Sequence, residues 1–80
     1  MPTRTGLDEV DLAILRALRE LGRPARPKEI AAHAGLDARR VAAKMRKLRR
    51  LGIVERVEEG VYRITEEGLR ALEQPRALPA

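Results

Sequence analysis

The sequence of 80 residues contains no cysteine, serine, asparagine, phenylalanine or tryptophan, and it has one histidine and one tyrosine. Without cysteine the chain cannot form a disulfide or a cysteine-ligated metal site, and His33 cannot build a histidine site alone. Serine and cysteine nucleophiles are both excluded, and helix caps and turns account for most of the carboxylates. We therefore expect neither an enzyme nor a bound metal or other cofactor.

Long apolar runs are missing as well. No stretch approaches the roughly 18 residues of a membrane span, and the N-terminus lacks an apolar signal core. We expect a soluble, cytoplasmic protein of one domain, associated with the nucleoid if it binds DNA. Arginine outnumbers lysine fourteen to three, and this composition suits a thermophilic protein as well as a GC-rich genome.

Positive charge is concentrated in one part of the chain. Residues 23–50 hold ten basic and two acidic residues, a net charge of +8, whereas the rest of the chain has a net charge of −3. A segregated positive field attracts polyanions. Because the single tyrosine offers little for base stacking, the pattern favours a double-stranded nucleic acid, without by itself distinguishing DNA from RNA.

Apolar spacing and cap residues predict two helices before residue 36. Asp8 is a candidate N-cap for a first helix that ends at Gly22, with carboxylates in its first turn. Pro27 suits the first position of a short second helix that ends at Gly35. Residues 23–27 are expected to be a linker between them.

A third helix is expected between the cap residue Asp37 and Gly52. Seven basic side chains lie on it, with Arg39, Arg46 and Arg50 opposite the apolar face. The apolar face is expected to consist of Val41, Met45, Leu48 and Leu51.

A β-hairpin is expected after Gly52, because β-rich runs at residues 53–57 and 61–64 bracket Glu58-Glu59-Gly60. A three-residue loop with Gly60 in the left-handed conformation keeps the apolar residues of both strands on one face. The pairs expected from this register are Val54 with Ile64, Glu55 with Arg63 and Arg56 with Tyr62. Thr65 is then the candidate N-cap of a final short helix.

The predicted order of elements is that of a helix-turn-helix with a wing. The fold class is mainly α with a small β-hairpin, in which a three-helix bundle is followed by a two-stranded wing and a short C-terminal helix. The domain is expected to span residues 7–73, with a disordered N-terminus at residues 1–6 and a flexible tail at residues 74–80.

Three segments carry a resemblance to known regulators. In "EIAAHAGLDARRVAAKMRKL", Ala31 precedes Gly35 by four residues and Val41 follows it by six. The segment "VAAKMRKLRRLGIV" resembles the recognition helix and first wing strand of the arsenic-repressor-type (ArsR) and multiple-antibiotic-resistance-type (MarR) winged-helix regulators. "YRITEEGLRALE" is similar to the second wing strand and following helix of those families.

This resemblance implies that the third helix enters the DNA major groove and that its N-terminal half meets base edges. Carried onto this chain, it makes Arg39 and Arg40 the candidates for reading guanine. Phosphate contacts are implied for the lysines and for the more C-terminal arginines, and at the start of the second helix. The full predicted DNA-binding set is Arg26, Lys28, Arg39, Arg40, Ala43, Lys44, Arg46, Lys47, Arg50 and Arg63.

The chain departs from the family pattern at two places. Ala42 and Ala43 stand where many relatives carry hydrogen-bonding side chains, which predicts modest sequence selectivity. The wing tip carries Glu58 and Glu59 where such proteins often have a basic residue, and carboxylates near phosphates repel. Either the wing stays off the DNA or its flanks approach, through Arg63 and through Arg56, whose stem could instead pack along the core.

Two functions are compatible with this pattern, because fold alone does not decide function. The first is double-stranded DNA binding by a small transcriptional regulator, with strong or weak sequence dependence. The second is a winged-helix protein-interaction subunit of a nucleic-acid-processing complex, which the acidic wing and the alanines favour. Regulators of this kind commonly dimerise to read two half-sites, so we consider a homodimer compatible with the sequence.

Overall fold

The structure is a computed structural model that describes residues 7–73. It contains the helices and the hairpin in the predicted order, and the mainly helical fold with a two-stranded wing is confirmed. The predicted disordered N-terminus and flexible tail lie outside the described residues. The elements are α1 (Glu9–Leu21), α2 (Pro27–Ala34), α3 (Ala38–Arg50), β1 (Val54–Glu58), β2 (Val61–Ile64) and α4 (Glu66–Glu73).

The helix boundaries follow the predicted cap residues. The Asp8 carboxylate accepts the Asp11 N–H at 2.9 Å and the Asp11 carboxylate accepts the Asp8 N–H at 3.0 Å, which is a reciprocal capping box. Gly35 has a φ of 71° and turns the chain from α2 into α3. Asp37 occupies the N-cap position of α3, but its side chain makes no capping hydrogen bond.

The core lies between α1, α2, α3 and the start of the wing. The apolar face predicted for α3 is confirmed at its first three positions, since Val41, Met45 and Leu48 are buried. They pack with side chains from the other elements, chiefly Ile14, Leu15, Leu18, Ile30, Ile53 and Val54.

The prediction that Leu51 continues the apolar face was wrong, because its surface is 49% exposed. The helix ends at Arg50, and the chain reverses through Gly52, which has a φ of 77°. The Ile53 N–H then donates to the Leu48 carbonyl at 3.2 Å, and the Ile53 side chain is buried in the core. The turn therefore replaces Leu51 with Ile53 at the end of the core.

The register of the wing is the predicted one, and all three predicted pairs are present. β1 begins and ends one residue later than expected, and Glu58 pairs with Val61 after an irregularity between Arg56 and Glu58. The predicted three-residue loop was therefore wrong: the turn consists of Glu59 and Gly60, and the irregularity in β1 keeps the predicted pairs aligned. Gly60 closes the turn with a φ of 75°, as expected for the left-handed position.

The linker before α2 takes part in the sheet, which the sequence did not predict. Ala25 donates its N–H to the Tyr62 carbonyl at 2.8 Å and accepts the Tyr62 N–H at 2.9 Å. This isolated bridge adds a third, very short edge to the wing. Only Ala25 and Arg26 lie between Pro24 and Pro27, and so short a segment gives no alternating pattern that could have indicated the bridge.

Thr65 caps α4, as predicted, and also joins this helix to the end of α3. Its hydroxyl accepts the Gly68 N–H at 3.2 Å and donates to the Gly52 carbonyl at 2.7 Å. The Thr65 N–H donates to the Ile53 carbonyl at 3.1 Å. These bonds hold the wing and α4 against the turn that follows α3.

Candidate nucleic-acid interface

The side of α3 opposite the core is exposed and carries most of the predicted site residues. Four of its residues recur at the spacing of one helix face and so form a row along the helix: Arg39, Ala43, Arg46 and Arg50. We call this surface the exposed face of α3; it consists of Arg39, Arg40, Ala42, Ala43, Arg46 and Arg50, all of them exposed.

An open groove of about 750 Å³ continues this surface toward the wing. Its α3 wall is formed by arginines and its β1 wall includes Arg56 and Glu55. Two of its arginines, Arg49 and Arg56, are absent from the predicted set. Arg49 lies apart from the other basic residues on the helical wheel, and it shares a groove with Arg56 only because the wing packs beside α3. The lining residues are Arg46, Arg49, Arg50, Val54, Glu55 and Arg56.

Lys44 and Lys47, also predicted as DNA contacts, face α1. The Lys44 ammonium lies 2.7 Å from an Asp8 carboxylate oxygen, and the Lys47 ammonium lies 2.6 Å from an Asp11 oxygen. Asp11 is completely buried, and its second oxygen is 3.6 Å from Lys44. The same carboxylates that cap α1 therefore neutralise the lysine flank of α3.

The pKa values of this cluster shift in opposite directions. The hydrogen bond from Lys44, followed by that from the Asp11 N–H, lowers the pKa of Asp8 well below its usual range. The hydrogen bond to Asp8 and the charge of Asp11 raise the pKa of Lys44. Both shifts have the sign of a charge pair that stabilises the folded state.

We expect the protein to lose stability in acid through Asp8. A depressed pKa in the folded state contributes stability above the unfolded value of about 3.9, and this contribution is lost as the pH falls below it. Lys44 has the opposite sign, so its contribution is present below about pH 10.4 and is lost as the pH rises through its raised folded value. Urea midpoints measured from pH 2 to 11 should form a plateau between these windows.

In the Asp8→Asn protein the urea midpoint should depend less on pH at both the acidic and the alkaline end of this range. An exposed pair is also screened by salt, so 1 M NaCl should reduce the difference between the two proteins. An Asp8→Asn profile identical to that of the original protein would contradict the assignment of the pair.

The start of α2, where a phosphate contact was predicted, already holds a carboxylate. The Arg26 N–H donates to the Glu29 carboxylate at 3.0 Å, and this bond lowers the pKa of Glu29. The Arg26 guanidinium lies near the wing turn, since a Cβ atom on Gly60 would be 3.2 Å from its Nη1. Arg26 and Lys28 are both exposed, and the carboxylate of Glu29 lies beside the first of them.

Arg63 pairs across the wing with Glu55, as predicted. Its Nε donates to the carboxylate at 2.8 Å, and both side chains are about half exposed. Glu55 also lines the groove, so its carboxylate reduces the positive charge on that wall, and the pairing with Arg63 offsets part of this reduction.

His33 contacts α1, where its Nε2 is 2.8 Å from a Glu20 carboxylate oxygen. Within residues 7–73, no three histidine, aspartate or glutamate side chains are grouped so that they could hold a metal ion. In the same range, no helix combines the length and apolar character needed to cross a membrane.

Comparison with known proteins agrees with this geometry. A family model described as winged helix-turn-helix DNA-binding matches residues 7–55, from before α1 into β1. A crystal structure of a candidate transcriptional regulator from Pseudomonas aeruginosa PA01 superposes with a TM-score of 0.72 at 33% identity. The match covers 82% of this chain and 48% of that one, so this chain spans about half the length of that protein. Curated proteins gave no match.

Proposed function

Since the chain belongs to the winged helix-turn-helix DNA-binding family, we propose that it is a transcriptional regulator that binds double-stranded DNA with α3 in the major groove. The exposed face of α3 carries this proposal, because it presents arginines in a row with no acidic side chain among them. A recognition helix that enters the major groove needs such a convex, cationic and unobstructed face.

The residues in the N-terminal half of this face contact the base edges. Arg39 and Arg40 are long enough to pair with the O6 and N7 acceptors of guanine, and Ala43 can contact a thymine methyl group. Arg46 and Arg50 lie further along and bind phosphate, which positions the domain without specifying sequence. Two reading arginines and an alanine support modest selectivity.

The wing contributes through the groove and not through its tip. Arg49 and Arg56 line the groove from both sides, at a suitable place for the phosphates that flank a recognition helix. Glu58 and Glu59 at the tip repel phosphate, so the tip stays outside the DNA. Arg63, Arg26 and Lys28 are secondary contacts, since carboxylates lie beside the first two.

A protein partner is the second candidate function. The exposed apolar side chains of Leu51 and Val57, with 49% and 44% of their surface accessible, favour it. The homodimer also stays a prediction, which sedimentation against the monomer mass of 9.0 kDa would test.

Duplex binding over a salt series tests the proposed function. The logarithm of the binding constant should fall with the logarithm of salt concentration with a slope of about −4, since the arginines neutralise roughly four to five phosphates. In the same titration Arg39→Ala should weaken binding to a preferred site by about 1–3 kcal/mol and binding to random duplex by less.

Arg16→Ala is the matched control, because Arg16 is an exposed arginine of α1 that lines a shallow pocket with Glu20 and His33 and with no residue of α3. It removes the same charge and should leave the preference between duplexes unchanged. Equal losses for both variants on all sequences would show that Arg39 does not read bases. Absence of duplex binding at low salt would instead support the protein partner.

A further inference from the structure

The arginines and the lysines of α3 differ in their exposure and in their contacts. Its arginines are exposed, whereas its two lysines are 25% and 33% exposed and lie against α1. Each lysine contacts an aspartate that is 36 residues away in the chain, Lys44 with Asp8 and Lys47 with Asp11. Two carboxylates and two ammonium groups thus neutralise each other at one flank of the proposed DNA-binding helix.

The capping box already orders the side chains of Asp8 and Asp11 before the lysines pair with them. The capping box holds each carboxylate with a backbone N–H of the other residue, so little side-chain freedom is lost when a lysine pairs with it. A lysine that left Asp11 would leave a buried carboxylate without its counter-ion, which is costly. The ion pair with the buried Asp11 carboxylate therefore holds Lys47 against α1.

Lys44 lies beside two carboxylates, those of Asp8 and Asp11, and a substitution can remove the charge of Asp8. Its ammonium pairs with Asp8, whose side chain is 56% exposed, and it is the cation beside the Asp11 Oδ1 atom. That buried oxygen has no hydrogen-bond partner. The nearby positive charge of Lys44 therefore offsets the free-energy cost of burying it. Asp8 is the solvent-facing half of this arrangement.

We propose that Asp8 determines the DNA specificity of this protein by holding Lys44 away from the phosphate backbone. An ammonium group adds affinity for every sequence equally, because phosphate contacts carry no sequence information. With Lys44 neutralised, the DNA meets α3 through its arginines, and base reading makes up a larger share of the binding free energy. This inference rests on the proposed DNA-binding function.

Asp8→Asn tests the proposal with little disturbance of the fold. Asparagine is as good an N-cap as aspartate, so the hydrogen bond from the Asp11 N–H can persist while the charge is removed. Lys44 then keeps only its longer contact of 3.6 Å with Asp11, and its positive charge is no longer balanced by Asp8 against nearby phosphate. We expect affinity for random duplex to rise about 3- to 10-fold at low salt and the salt slope to steepen by about 0.9. The preference for a selected site over random duplex should fall.

Two further variants separate this effect from bulk charge. Glu9→Gln removes one negative charge from the adjacent exposed residue, which forms no ion pair within the described part of the chain, and it should leave the salt slope unchanged. Asp8→Asn combined with Lys44→Gln should restore the original slope, because the released ammonium is absent. Thermal melts of each variant confirm that binding is compared between folded proteins.

The outcomes are distinguishable. If Asp8→Asn leaves slope and preference unchanged, or if Glu9→Gln changes them equally, the role of Asp8 is overturned while the DNA-binding function stands. If the original protein binds no duplex at low salt, the proposed function itself fails, and this inference fails with it.

Discussion

Leu48→Ala is expected to lower the free energy of unfolding by about 3 kcal/mol, whereas Leu51→Ala lowers it by about 0.5 kcal/mol or less. The two leucines are three residues apart at the end of α3, and composition alone does not distinguish them. Leu48 is completely buried among α1, α2 and the wing, so its truncation leaves a cavity. Leu51 lies half in solvent beyond the last turn.

A loss of this size is a large part of the stability of a domain with 80 residues. It corresponds to a fall in melting temperature of about 12 to 24 °C. Urea and thermal unfolding followed by circular dichroism would measure both variants under the same conditions. Similar losses at the two positions would contradict the described end of α3, in which Ile53 replaces Leu51 in the core.

Gly68→Ala is expected to destabilise the protein by about 2–3 kcal/mol, although helix propensity predicts the opposite sign. Alanine in place of glycine inside a helix normally stabilises it by about 1 kcal/mol. Here a Cβ atom would overlap the Ile53 carbonyl oxygen and would lie 2.7 Å from the Ile64 side chain. The carbonyl belongs to the backbone and accepts the Thr65 N–H, so it cannot move without breaking that bond.

Glu67→Ala is the matched control for this substitution. It also places alanine in the first turn of α4, but at an exposed position whose ion pair with Arg70 is exposed and therefore weak. Urea midpoints should show little change for Glu67→Ala and a clear loss for Gly68→Ala. A gain in stability for Gly68→Ala would show that α4 is not packed closely against the start of the wing.

The local features of this fold could be predicted because they follow from neighbouring residues. The capping role of Asp8, the turn at Gly35 and the left-handed position of Gly60 each depend on a few consecutive side chains. The pairs from Val54 to Arg56 followed from the alternation of apolar residues, although the turn itself is one residue shorter than the predicted loop. The exposed face of α3 followed in the same way from the helical period of its buried positions.

The features that were missed depend on how separate elements approach one another. The bridge from Ala25 to Tyr62 joins residues 37 positions apart, and no local pattern indicates it. Leu51 is displaced by about 60° from Leu48 on the helical wheel, toward the lysine flank, and it follows the last helical residue. Arg49 and Arg56 line the same groove only because the wing packs against α3.

By itself, the sequence determined that this chain forms a winged helix with a cationic third helix, because helical and strand periods, caps and charge are all encoded within short segments. Only the tertiary structure decided which of those cations are available. All seven look equivalent as positive charges on α3, but packing places the lysine flank 2.6–2.7 Å from two capping aspartates of α1. Charges separated by 36 residues interact strongly only when packing brings them into contact, because Coulomb attraction through water decays and is screened within about 10 Å.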